Sequence, residues 1–179
     1  MTSLEHPSIS KVAASLREAG IPAAADGIWI LDGEARTAAR AAAVLGVPVG
    51  AIANSLVFRA ISGQEELPIL ALTSGAHRAD IERIAALVGA KHIGLADPGF
   101  VRKHTGQAIG GVAPIGHPRP IRTLVDNHLV HYEVVWAAAG HPRAVFPTTL
   151  TDLVAITGGT VCALQVAGGI DVHRQARGV

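Results

Sequence analysis

Residues 52–73 read IANSLVFRAISGQEELPILALT, and this stretch decides the fold. Ile52–Ile61 is rich in β-branched and apolar residues, and Pro68–Thr73 is a second run of the same kind. The segment between them holds Gly63 and two glutamates and is too short for a helical crossover. Two strands so joined pair antiparallel.

Working outward, helix signals flank this pair on both sides. Pro7 suits a first helical turn, and Ile9, Val12, Ala13 and Leu16 follow on one helical face, with Gly20 to close it. Gly27–Leu31 reads as a short buried strand. Thr37 is placed to cap an alanine-rich helix that stops at Gly46 and Pro48. Downstream, Asp80 caps a helix with Ile81, Ile84, Ala85 and Val88 on one face and Gly89 at its end. Lys91–Leu95 is a short strand, and Asp97-Pro98 opens a further helix. Ile121–Val125 forms a strand ending at Asp126, and Asn127-His128 suits a turn. From Leu129 to Trp136 the pattern alternates, with Val130, Tyr132, Val134 and Trp136 sharing a face as in a half-buried strand. Thr149 caps a last helix through Ile156, and Val161–Val166 is a final strand. Strands clustered this closely predict a mixed, mostly antiparallel sheet with helices packed around it. The expected organisation is one domain over residues 1–166 and a flexible tail over 167–179.

Bulk properties exclude several classes. The chain has 179 residues with a formal net charge of +1, so it is no strongly basic, non-specific nucleic-acid binder. Aromatics make up 3%, and no stacking platform for single strands is evident. A single cysteine, Cys162, allows no internal disulfide or cysteine zinc cluster; its apolar surroundings predict a buried strand residue. No apolar run can span a membrane and MTSLEHPSIS lacks a signal core, so the expected location is cytoplasmic. No GxGxxG follows a strand and no GxxxxGK[ST] occurs, which removes the phosphate-cradle folds.

Chemistry concentrates in Gly106–Pro120, GQAIGGVAPIGHPRP. Adjacent Gly110 and Gly111 allow close backbone approach, while Pro114, Pro118 and Pro120 stiffen the chain and remove donors. Such a loop can aim its remaining N–H groups at a carbonyl oxygen that becomes negative. It can equally be a tight structural turn. Nine histidines form no HExxH, and no metal site is expected. There is no GxSxG elbow; Ser55 and Ser74 stand near strand ends with no neighbouring base, so a nucleophile–base esterase is disfavoured. Asp126 either orients a group in a binding cavity or forms an Asx turn. His141, after Gly140, either meets substrate or faces solvent.

These elements in this order resemble the YbaK/prolyl-tRNA synthetase-associated editing domain family over Pro7–Leu164. The residues that carry the resemblance are Thr37-Ala38 to Leu45-Gly46, the Ile52–Phe58 strand, Leu70–Gly75 with Arg78-Ala79-Asp80, Thr105-Gly106, the GxxxP element Gly110–Pro114, the strand to Asp126, and Ala139-Gly140. The resemblance implies a mixed α/β domain with a barrel-like central sheet. It implies a trans-editing aminoacyl-tRNA deacylase, acting at the tRNA acceptor end with no cofactor and no metal, with an aminoacyl-tRNA synthetase as a further partner. Gly110, Gly111 and Pro114 would form the catalytic loop. Thr37, Asn54, Ser55, Asp126, Gly140 and His141 would bind substrate, and Arg36, Arg40, Arg102, Lys103, Arg119 and Arg143 would guide the tRNA end. One departure stands out: Asn54 occupies the position where the family carries lysine. Asparagine lacks the charge, a loss of about 1–2 kcal/mol or roughly tenfold. A module that binds aminoacyl-RNA or an amino-acid-like ligand without hydrolysing it is therefore the alternative.

Overall fold

The computed structural model describes residues 3–33 and 37–166. Six α-helices lie among the described residues: α1 (Pro7–Glu18), α2 (Pro22–Asp26), α3 (Ala38–Leu45), α4 (Ile81–Val88), α5 (Pro98–Thr105) and α6 (Leu150–Thr157). Eight strands accompany them: β1 (Trp29–Ile30), β2 (Ile52–Ser62), β3 (Glu65–Ser74), β4 (His92–Leu95), β5 (Arg122–Asp126), β6 (Val135–Ala138), β7 (Ala144–Thr148) and β8 (Thr160–Cys162).

The expected caps form. Thr37, Asp80, Asp97 and Thr149 each accept an early helical N–H through a side-chain oxygen, and Gly46, Gly89, Gly106 and Gly158 close α3 to α6 in the left-handed region. The 52–73 pair becomes the β2–β3 hairpin, in register from Ala53↔Ser74 to Ser62↔Glu65. The sheet order is β1-β7-β6-β2-β3-β5-β8, with β4 added beside β2. β2–β3, β2–β4, β6–β7 and β1–β7 are antiparallel; β2–β6, β3–β5 and β5–β8 are parallel. The sheet is thus mixed and mostly antiparallel.

Side chains alternate between its faces. Ala53, Val57, Leu70, Leu72 and Ala137 join α1, α2, α5 and α6 in the main core. On the opposite face, Phe58, Ile69 and Leu124 meet Ile84 of α4, while Ile52 and Val145 meet Ala41 and Ala42 of α3. Two helices on one face therefore leave a gap between them, and Asn54 lies in it.

Three expectations need correction. Residues 129–134 are not strand: Asn127–His131 is a 3-10 turn and β6 begins only at Val135. The buried residues there are Leu129, Val135 and Ala137, whereas Val130 and Val134 are exposed. Alternating hydrophobicity misled because a turn interrupts the register. The strand expected over Val161–Val166 ends at Cys162, and Cys162 is only partly buried. Gly27–Leu31 shrinks to a two-residue strand with Trp29 exposed, while α2 and β7 carry no signal strong enough to be read in advance. The expected tail, 167–179, and Arg36 lie outside the described residues.

Candidate active site

β2 is paired along one edge by β3 throughout. Its other edge meets β6 at Ile52 and Ala53 and β4 at Phe58–Ile61, so no strand covers the residues between. A cleft of about 430 Å³, counted with its open mouth, lies at this uncovered edge. Asn54 and Ser55 form one wall, Thr37, Ala38 and Ala41 of α3 a second, and Trp136, Ala138 and Val145 a third. Gly110 and Val112 close the remaining side. The N-terminus of α3 opens on this space and biases it toward negative charge. The Ser55 hydroxyl is buried with no hydrogen-bond partner.

The Gly110–Pro114 loop is held from inside. Gln107, 3% exposed, accepts from the Ala113 amide through Oε1 at 2.6 Å and donates from Nε2 to the Ile115 carbonyl at 3.1 Å. Its own amide donates to Thr105 Oγ1, which in turn donates to the Val101 carbonyl of α5. Gly111 donates to the Ala108 carbonyl at 3.1 Å. The amides of Gly111 and Ala113 are therefore used by the scaffold. Those of Gly110 and Val112 have no partner among the described residues, and both residues line the cleft. Gly110 is exposed and Val112 buried, so the loop leaves two unbonded donors in residues beside the cleft.

Gly111 has a different duty. A Cβ there would lie 2.4 Å from the His141 carbonyl carbon and 2.5 Å from Pro142 N. Glycine is required because two backbones touch. Gly110, with φ 87°, makes the left-handed bend that precedes this contact. Pro114 is buried in the same loop and does not line the cleft.

Asp126 is not a cleft residue. It is fully buried; Oδ2 accepts from the Ser74 amide and from His77 Nε2, and Oδ1 accepts from the His128 amide at 3.0 Å. One carboxylate thus ties β3, β5 and the following turn: it makes an Asx turn with His128 and holds the His77 ring. His77 lines a second hollow with Asn54, Arg78, Ile81 and Leu95, on the α4 side of Asn54. His128 stacks edge-on against His77 and His131; burial, then the neighbouring imidazoles, lower its pKa. No group of three or more His, Cys, Asp or Glu among the described residues is placed to hold a metal.

Gly140 and His141 also lie off the cleft. Gly140, φ 90°, packs on α1, where a Cβ would meet the Ser8 carbonyl at 2.8 Å. His141 Nδ1 accepts from the Arg143 amide, its ring lies 4.8 Å from that of His6, and its main chain receives Gly111. Of the residues singled out from sequence, the fold brings Thr37, Asn54, Ser55 and Gly110 together around one cleft. Gly111, Pro114, Gly140 and His141 stand behind it as its frame. Val112, Trp136 and Gln107 were not foreseen. A glutamine following Thr-Gly was the one available hint of a side chain bracing the loop.

A fold of this topology, with a cleft at an uncovered strand edge beside a Gly-Pro loop, defines a class. The chain belongs to the aminoacyl-tRNA editing domain family, which it matches over residues 32–156. Aminoacyl-tRNA is accordingly its substrate class. Among solved structures it is similar to a candidate trans-editing enzyme for prolyl tRNA synthetase: 38% identity, TM-score 0.81, covering 90% of this chain and 99% of that one. The uncharacterized protein YwhH of Bacillus subtilis (strain 168) is 30% identical over 117 residues, 65% of this chain and 72% of that protein. A proline--tRNA ligase of Limosilactobacillus fermentum (strain NBRC 3956 / LMG 18251) is 30% identical over 96 residues, 53% of this chain but 17% of the ligase. No helix among the described residues is long and apolar enough to cross a membrane.

Proposed function

We propose that this chain is a trans-editing deacylase that hydrolyses the ester between a wrong amino acid and the terminal ribose of its tRNA. The carrying observation is that Gly110 and Val112, whose amides have no partner among the described residues, line the cleft at the uncovered edge of β2. The acyl carbonyl lies against these donors. Water, oriented by the free hydroxyl of the terminal ribose, adds to the carbonyl carbon, and the oxygen becomes negative beside these amides. The carbon–oxygen ester bond then breaks. The ribose oxygen leaves with the proton given up by the attacking group, and the amino acid departs as a carboxylate once water has completed the cleavage. No side chain lining the cleft titrates near neutrality, so positioning and oxyanion stabilisation do the work. Neither a metal nor a side-chain nucleophile takes part. Asn54 holds the amino acid by hydrogen bonds, and the small lining residues Ala38, Ala41 and Ala138 admit small side chains. The names of the similar proteins favour tRNA for proline as the RNA and its synthetase as the partner.

The test offers the purified chain a panel of mischarged tRNAs. Loss of one small amino acid's ester above buffer is expected; no loss for any member contradicts the proposal. Asn54 supports a second reading, a binder that does not turn over, because no cation lines the cleft. Asn54→Lys separates the two: hydrolysis gained from a silent parent favours the binder.

A further inference from the structure

The cleft wall continues outward into an exposed aromatic face. The only two tryptophans of the chain meet there. Trp29 of β1 pairs with Val145 of β7, and Val145 pairs with Ala138 of β6, so the three side chains share one sheet face. Trp136, two residues before Ala138, lies on the same face and forms part of the cleft wall. The two indoles pack edge to face with centroids 6.3 Å apart. Trp29 is nevertheless 51% exposed, although Ile30 beside it packs into the main core. A large aromatic at a sheet edge, braced by a second aromatic and half bare, has no fold-level reason to be tryptophan. Arg143 adds a cation at the same place: its Nε donates to the Leu31 carbonyl just past β1.

We propose that Trp29 is the stacking platform for the terminal base of the tRNA, an adenine. This rests on the deacylase reading, which seats the acyl group in the cleft. The ester then fixes the ribose at the mouth, and the base must lie within one sugar's length of it. Trp29 is a half-exposed aromatic that packs on Trp136 of the cleft wall. Stacking accepts a base by its π-face and needs no strongly basic surface, which fits a chain of net charge +1. The hollow on the other side of Asn54, with His77 and Arg78, is the competing seat; its one phenylalanine, Phe58, is fully buried, Leu56, Ile81 and Leu95 offer aliphatic contact, and its histidine is tied to Asp126.

Two measurements decide. In Trp136→Phe, Trp29 is the sole tryptophan, and titration with the unacylated trinucleotide CCA should quench its fluorescence saturably. The same trinucleotide with an abasic 3′ position should not. In Trp29→Ala, KM for mischarged tRNA should rise roughly 5- to 100-fold, the range stacking of one base confers, with the loss falling on KM rather than kcat. Trp29→Phe should recover most of it. Absence of quenching at millimolar CCA, or a KM within twofold of the parent in folded Trp29→Ala, overturns the proposal. So does a KM rise in Arg78→Ala with none in Trp29→Ala, which puts the base in the other hollow. Quenching needs no ester, so a chain that quenches but hydrolyses nothing keeps the platform and loses the deacylase reading.

Discussion

Gly111→Ala separates a loop that merely turns from one that is pressed into place. Gly111 does not have positive φ, so an alanine meets no backbone strain and the whole effect is steric. The new Cβ would stand 2.4, 2.5 and 2.7 Å from three main-chain atoms of His141 and Pro142. Those atoms cannot swing aside. The His141 carbonyl accepts from the Ala144 amide at 2.9 Å and its ring nitrogen from the Arg143 amide at 3.1 Å. On the other side, Gly111 is tied to Ala108 and its loop to Gln107. Restoring ordinary contact requires the two loops to part by roughly 1 Å. Overpacking of this kind costs about 1–3 kcal/mol. The same displacement carries the Gly110 and Val112 amides off target, which is worth about 10²-fold in rate. Urea denaturation reads the first effect and single-turnover hydrolysis of a mischarged tRNA the second. Gly94→Ala is the control, since a Cβ there meets nothing within 4 Å. Parental stability and rate in Gly111→Ala would refute the reasoning.

Gln107→Leu strands the Ala113 amide and the Ile115 carbonyl in a buried site; a loss of about 2–4 kcal/mol is expected by urea denaturation, with deacylation slowed more than KM is changed. Asp126→Asn turns a three-way acceptor into a group that must point a donor at a donor, so a loss of about 2–4 kcal/mol is expected with KM for the substrate little altered, because Asp126 is off the cleft. Burial lowers the pKa of both His117 and His128 in the fold. The unfolded chain therefore takes up protons first as pH falls below about 6.5, and stability should decline from there through the depressed native values while staying flat above. Urea midpoints between pH 8 and pH 5 check this, and His117→Gln should make the decline shallower.

Local chemistry made much of the fold legible. Caps and closing glycines bound four helices, and the short 62–67 connection gave the central hairpin. What local signals could not carry was tertiary. The strand expected through Leu129–Trp136 failed because a 3-10 turn shifts which side chains face the core. β7 went unseen because Ala144–Thr148 is short and contains Pro147. The cleft is half legible: the sequence points to Thr37, Asn54, Ser55 and Gly110, but which amides stay free depends on Gln107 reaching from Ala113 to Ile115. Asp126 was assigned to the cleft because it ends a strand, and only the depth of β5 shows that its carboxylate is spent on Ser74, His77 and His128. The contact of Trp29 with Trp136 was not legible either, since the two stand 107 residues apart and only the β1–β7–β6 pairing brings them edge to face.

The most direct test titrates ¹⁵N-labelled protein with an aminoacyl-adenosine whose ester is replaced by an amide. The Gly110 and Val112 amide resonances should move downfield with the ligand, while those of Gly111 and Ala113, already bonded within the loop, should stay nearly fixed. Saturating ligand that shifts other cleft residues but leaves Gly110 and Val112 unmoved would contradict the account.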